Sequence, residues 1–156
     1  FDTIRVLNVH LSSTGLQDQD MDVVNSRDEL LETGQFVLSK LAATDRNRGL
    51  QANHIVEWVK ESPHPVVLSG DFNGVPGGNL YWRLLQHLRD PYVLDGYGTM
   101  GSFEPLARRG LFFKIDWTMH SNDLHSKGQY IDNINLSDHR PLVTRFSPEP
   151  PAPQGD

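Results

Sequence analysis

Gly70-Asp71-Phe72-Asn73 and Ser137-Asp138-His139-Arg140-Pro141 hold the residues best suited to chemistry. Asp71 and Asn73 stand two apart, so an extended backbone turns both to one face and sends Phe72 to the other. A carboxylate beside a carboxamide suits a hard divalent cation or a phosphate-bound water, and Mg²⁺ takes oxygen ligands while keeping several waters. Asp138 and His139 add an anion and a titratable imidazole. Asn8-Val9-His10 and Ile115-Asp116 contribute a second imidazole and a further carboxylate. A Ser-based nucleophile elbow, a Gly-rich phosphate loop and a His-x₃-His zinc helix are all missing from the sequence. What remains is the inventory for metal-assisted attack of water on a phosphate ester. Taken singly, each piece has a plainer reading. Asp71-Phe72-Asn73 makes an ordinary Asx turn, and Asp138 a turn or cap residue. His10 is then a core histidine, and Asp116 a partner of Lys114 or Arg109.

The elements that must position these residues follow from periodicity. Residues 4–11 read as a buried strand ended by Ser12-Ser13-Thr14-Gly15. An exposed acidic loop is expected at 17–22, then a helix over 24–43 and a second over 49–60, stopped by Ser62-Pro63-His64-Pro65. Pro65 to Gly70 reads as a central strand leading into Asp71. Gly74, Pro76, Gly77 and Gly78 make a tight loop, and Asn79 caps a helix over 80–88. Residues 91–102 read as turns. Strands are expected at 112–120 and 141–146, with a weaker one near 130–134. Polar ligand-type residues therefore gather at strand ends, where layered α/β proteins place their sites.

Composition bounds the function classes. The chain has 156 residues, a net charge of −6 and no cysteine. One domain of ordinary size is expected, with no disulfide, thiol nucleophile or Cys zinc site. No apolar run approaches the roughly 18 residues of a membrane span. The acidic balance disfavours broad electrostatic binding of nucleic acid, yet bound cations offset acidic ligands locally. The sequence opens at Phe1, inside strand-like residues, and the expectation is that a segment precedes it. Four of the ten prolines fall in the last ten residues, so 1–146 is expected as the folded portion and 147–156 as a disordered Pro-rich tail.

The four clusters, in this order, resemble the endonuclease/exonuclease/phosphatase superfamily with its deoxyribonuclease-I-like fold. Gly-Asp-Phe-Asn and Ser-Asp-His-Arg-Pro carry most of the resemblance, supported by Arg48, Gln51 and Ile55 in the preceding helix. It runs from Leu7 to about Val143. It implies an α+β, layered α/β class: half of a four-layer α/β/β/α sandwich, one mixed sheet with helices on one face. It implies catalytic roles for His10, Asp71, Asn73, Asp116 and His139, with Asp116 orienting a catalytic histidine. It implies metal contact by Asp138, Asp71 and Asn73. Where relatives carry Arg-Ile-Asp-Tyr, this chain has Lys114-Ile115-Asp116-Trp117, which keeps the charge but loses the guanidinium fork. The family's early strand-end Asn and metal-binding Glu are not in these residues, which correspond to the C-terminal half of such a domain. The partners implied are the remaining N-terminal half and a phosphate ester, whether nucleic acid, phospholipid head group or small molecule. The cofactor implied is Mg²⁺ or Mn²⁺, bound weakly or not at all by residues 1–156 alone. The expected activity is hydrolysis by in-line attack of water; the alternative is a non-catalytic relative serving as a binding module. Four strands, 4–11, 66–70, 113–120 and 142–146, are expected in one sheet whose uncovered face is unusually apolar.

Overall fold

The computed structural model describes residues 3–13, 15, 26–97, 101–134 and 136–147. The expected loop at 17–22 and all of the tail but Ser147 lie outside them. Strand β1 (Arg5–His10) is followed by helix α1 (Arg27–Lys60), strand β2 (Val66–Asp71) and helix α2 (Asn79–Leu85). Two short helices, α3 (Pro91–Asp95) and α4 (Glu104–Ala107), precede strands β3 (Asp116–His120), β4 (His125–Ile131) and β5 (Leu142–Ser147).

The fold is layered α+β. β2 is the centre of a mixed three-stranded sheet, parallel to β1 and antiparallel to β3. Its inner face packs Leu68, Met119 and Trp117 against Ala52 and Ile55 of α1 and Leu80, Tyr81 and Leu84 of α2. Phe72 stacks on Trp117 with ring centroids 4.5 Å apart, and Tyr81 meets Trp117 edge-on at 5.2 Å. A smaller apolar cluster joins Val37 and Leu41 of α1 to Phe103, Leu106 and Ile115.

Several expectations are corrected. The two helices expected over 24–43 and 49–60 are one helix of 34 residues. Thr44, in the gap between the two expected helices, bonds back to the Lys40 carbonyl at 3.2 Å and accepts from Arg48 Nη1 at 2.6 Å. Gly49 is buried beside Asn79, and without a proline nothing removes a helical hydrogen bond. The helix starts at Arg27 because the Ser26 hydroxyl accepts from Glu29 N at 3.2 Å. β3 starts at Asp116, not near 112, because the preceding backbone groups bond outside any ladder: Ser102 N donates to Phe113 O, and Phe72 N to Ile115 O.

The fourth strand is not in the main sheet. β5 pairs with β4, itself five residues earlier than the weak strand expected near 130. A register shift between Ser126 and Gln129, at Gly128 (φ 126°), bends this ribbon. It meets β3 through side chains: Gln129 Nε2 donates to Thr118 O (3.3 Å) and Thr144 Oγ1 (2.9 Å), and Phe146 packs edge-on to His120. Ser147, assigned to the tail by sequence, is buried at the end of β5.

The outer sheet face is also not uniformly apolar. Register gives it three rows: Val6, Val67 and His120, then Asn8, Ser69 and Thr118, then His10, Asp71 and Asp116. Ser69 and Thr118 share a hydrogen bond at 3.0 Å. Val6 stands 67 % exposed, so this face is open along β1.

Candidate active site

Sheet register assembles the site. His10, Asp71 and Asp116 are direct partners across β1, β2 and β3, so residues far apart in sequence stand one strand spacing from the next. His10 Nε2 lies 3.5 Å from Asp71 Oδ2, and its side chain is 75 % exposed at the rim. It is not the core residue of the plainer reading. Just beyond it, Ser12 N donates to Gln51 Oε1 at 3.1 Å, tying the end of β1 to α1.

Gly70 makes the approach of β1 and β2 possible. Its φ is 146°, and a Cβ there would fall 1.8 Å from Val9 O. Beyond Asp71 the chain turns sharply at Asn73, which takes φ 49°, a left-handed conformation that Asn tolerates better than most residues. The Asx turn expected as the plain reading is present: Asn73 N donates to Asp71 Oδ1 at 2.8 Å. Asn73 Nδ2 donates to Asp71 Oδ2 at 2.9 Å and to Leu11 O at 3.1 Å. Both neighbours only accept, which fixes the amide orientation and leaves Oδ1 as the acceptor on offer. The turn and the site are thus one structure.

His139 comes from the loop before β5. Its Nδ1 donates to Asp116 Oδ2 at 2.8 Å, and its Nε2 lies 4.0 Å from Asp71 Oδ2. The Asp116 hydrogen bond, outweighing desolvation, raises the His139 pKa above its ordinary value. Burial pushes the Asp71 carboxyl up, against the Asn73 backbone hydrogen bond that lowers it. Both shifts favour the protonated form, at the Asp71 carboxyl through burial and at the His139 imidazole through Asp116.

These groups open onto a cavity of about 260 Å³. His10, Asp71, Asn73, Asp138 and His139 line one side; Val37, Leu41, Phe103, Leu106, Phe113 and Ile115 form the other. Among the described residues, no lysine or arginine lines it. The nearby cations are engaged elsewhere: Arg140 and Arg108 with Glu104, Lys114 with Asp90. Asp138 lies at the cavity edge with its Oδ1 bonded to the Ser137 hydroxyl at 3.0 Å. The described residues include one cluster whose ligand atoms fall within 4.8 Å, Asp71, Asp116 and His139, and it omits Asp138. Asp116 engages His139 through Oδ2 alone, so carboxylate oxygens of Asp71 and Asp116, with Asn73 Oδ1 and Asp138 beside the same cavity, are the oxygen donors a hard cation would meet. That donor set suits Mg²⁺ or Mn²⁺.

Sequence reasoning missed the residues that hold the site from behind. Lys114 does not pair with Asp116. Its Nζ lies 3.2 Å from both Asp90 oxygens and 2.9 Å from Gln129 Oε1, and Tyr81 OH donates to Asp90 Oδ2. Ser102, Phe103 and Glu104 pack along the His139 loop. A Ser or an isolated Asp carries no motif, so only spatial neighbours reveal them.

The site thus joins a loop histidine and a strand-end aspartate to an Asx-turn carboxylate on an α+β layer. The chain belongs to the Endonuclease/Exonuclease/phosphatase family, which it matches over residues 5–139. Its fold is similar to that of a functionally unknown conserved protein from Enterococcus faecalis V583 (22 % identity, TM-score 0.60, 67 % of this chain and 46 % of that one). It is also similar to an endonuclease/exonuclease/phosphatase from Bacteroides vulgatus (24 %, 0.59, 66 % and 44 %). A third likeness is the human Nocturnin catalytic domain with bound sulfate (19 %, 0.51, 67 % and 42 %). The chain spans less than half the length of each of these structures. No functionally curated protein matches it.

Proposed function

We propose that this chain carries part of the active site of a divalent-metal-dependent phosphoesterase that hydrolyses its substrate by in-line attack of water. The observation that carries this reading is the convergence of His139, Asp116 and Asp71, with 2.8 Å and 4.0 Å separations, beside a cavity that no described lysine or arginine lines. An anionic substrate entering a cavity lined by Asp71 and Asp138 needs a cation, and the open oxygen donors of Asp71, Asn73 and Asp138 fit one. Bound there, the metal supplies Lewis-acid polarisation of the phosphate and charge neutralisation.

The chain's own residues do the rest. Asp71, its pKa raised by burial, accepts the proton of the attacking water, which Asn73 Oδ1 orients. His139, its pKa raised by Asp116, donates from Nε2 to the phosphate oxygen on which charge grows. His10 at the rim contacts the phosphate or protonates the leaving oxygen. Residues 1–146 form the C-terminal part of the catalytic domain, and the open β1 face with exposed Val6 receives the remaining half. The family's main carboxylate ligand is not among these residues, so tight binding by them alone is not expected. Calorimetry on residues 1–156 is expected to give weak or no Mg²⁺ affinity, and tight binding there contradicts the assignment.

The test is the full-length protein with Mg²⁺ against nucleic acid, inositol phosphates, sphingomyelin and small phosphodiesters. His139→Ala and Asp71→Asn are each expected to lower kcat by at least about 10², the usual range for a proton-transfer or charge-clamping group. A loss confined to KM makes these residues substrate binders only. No hydrolysis of any substrate favours a binding module instead.

A further inference from the structure

We propose that Ser102 is a positioning residue that pins Asp116 and His139 to each other from behind the cavity; the inference rests on the phosphoesterase reading for its catalytic consequence. Ser102 is fully buried. Its Oγ accepts from two successive backbone amides, Ile115 N at 3.0 Å and Asp116 N at 3.1 Å. Its carbonyl accepts from Arg140 N at 2.8 Å, and its own N donates to Phe113 O at 3.1 Å. One residue thus grips the backbone of Asp116 and that of His139's neighbour.

The pin matters because Asp116 and His139 sit on separate supports. Asp116 starts β3, and the 112–115 segment before it lacks a ladder. His139 sits on a loop outside both sheets. Strand pairing does not fix their 2.8 Å contact; the Ser102–Glu104 segment does. Phe103 bridges to His139 in antiparallel fashion, its ring 5.4 Å from the imidazole. Glu104 N donates to Asp138 O at 2.8 Å, and the Glu104 carboxylate, itself nearly buried, holds Arg140. Ser102 reaches both sides by hydrogen bonds, accepted from Asp116 N and from Arg140 N. A second-row residue of this kind changes rate through orientation, since catalytic groups must be held within a fraction of an ångström.

Two readouts test this. In residues 1–156, Ser102→Ala is expected to speed amide exchange at Ile115 and Asp116 about tenfold, the effect of one lost hydrogen bond. Ser102→Thr, which keeps the hydroxyl, restores protection. In the full-length enzyme, Ser102→Ala lowers kcat about tenfold or more with KM within about twofold, and Ser102→Thr recovers most of it. Because Ser102 acts through Asp116, adding Ser102→Ala to Asp116→Asn costs less than a further twofold. Unchanged exchange overturns the pin, and so does an effect that multiplies in full with Asp116→Asn. If Ser102→Ala does not fold, Ser102→Cys fills the space with a poor acceptor, and full kcat in that variant overturns the proposal. Faster exchange together with an inactive full-length protein, or with a fully active His139→Ala, refutes the phosphoesterase reading and leaves the pin standing.

Discussion

Lys114→Met is expected to destabilise the fold by about 3–5 kcal/mol, the cost of stripping one partner from a buried ion pair. The Lys114 and Asp90 side chains are only 4 % and 1 % exposed. Burial lowers the Lys114 pKa, opposed by Asp90, so the ammonium is held by its partners rather than by water. Methionine keeps the apolar stem but ends one atom short, and leaves the Asp90 carboxylate with the Tyr81 hydroxyl (3.0 Å) and Tyr92 N (2.9 Å). Gln129 Oε1 loses its 2.9 Å donor as well. With a urea m-value of about 2 kcal/mol/M, the midpoint falls by about 1.5–2.5 M. Adding Asp90→Asn removes the orphaned charge and keeps an acceptor for Tyr92 N. The double variant is therefore expected to be less destabilised than the sum of the singles, by up to about 3 kcal/mol of coupling. A cost under about 1 kcal/mol for Lys114→Met, or strict additivity, refutes the claim that this pair is electrostatically coupled.

Gly70→Ala forces a side chain into φ 146° and against Val9 O. It should cost more than about 3 kcal/mol in urea unfolding, because strain and a broken β1–β2 contact add; a cost near zero means β1 approaches differently. The Asp116–His139 pair should depend on pH with a definite sign. The folded His139 pKa lies above the unfolded value of about 6.5, so the pair's stability is fully present below that pH and is lost as pH rises through the raised value. Asp116→Asn is accordingly expected to destabilise more at pH 6 than at pH 9, and equal losses at both remove the ion pair from the account.

The catalytic-type residues were legible because their chemistry and their placement coincide. Asp71, Asp116 and His10 end or begin strands, and strand tips are where register brings distant residues together. What sequence could not give was which strand joins which sheet. β5 has ordinary strand composition, and only the bulge at Gly128 turns it away. The α1 break failed because no proline or glycine pair interrupts residues 44–48, and Thr44 bonds along the helix to Lys40 O and Arg48. α3 did leave a signal: Asp90 then Pro91 is a cap followed by a first-turn proline, and Asp90 Oδ1 accepts from Tyr92 N. Ser102 left none.

The single rod of α1 has a mechanical consequence. Val37 and Leu41 floor the cavity, while Ala52 and Ile55 are locked under the sheet. From Val37 to Ile55 is 18 residues, about 27 Å of unbroken helix at 1.5 Å per residue. With no hinge between them, the floor cannot tilt unless the core tilts with it. Any adjustment of cavity width to a substrate therefore comes from the 103–113 segment packed beside that floor, where one four-residue helix and turns replace regular structure. The cavity works as a vice with one fixed jaw, and substitutions that alter substrate choice are expected to gather on the other.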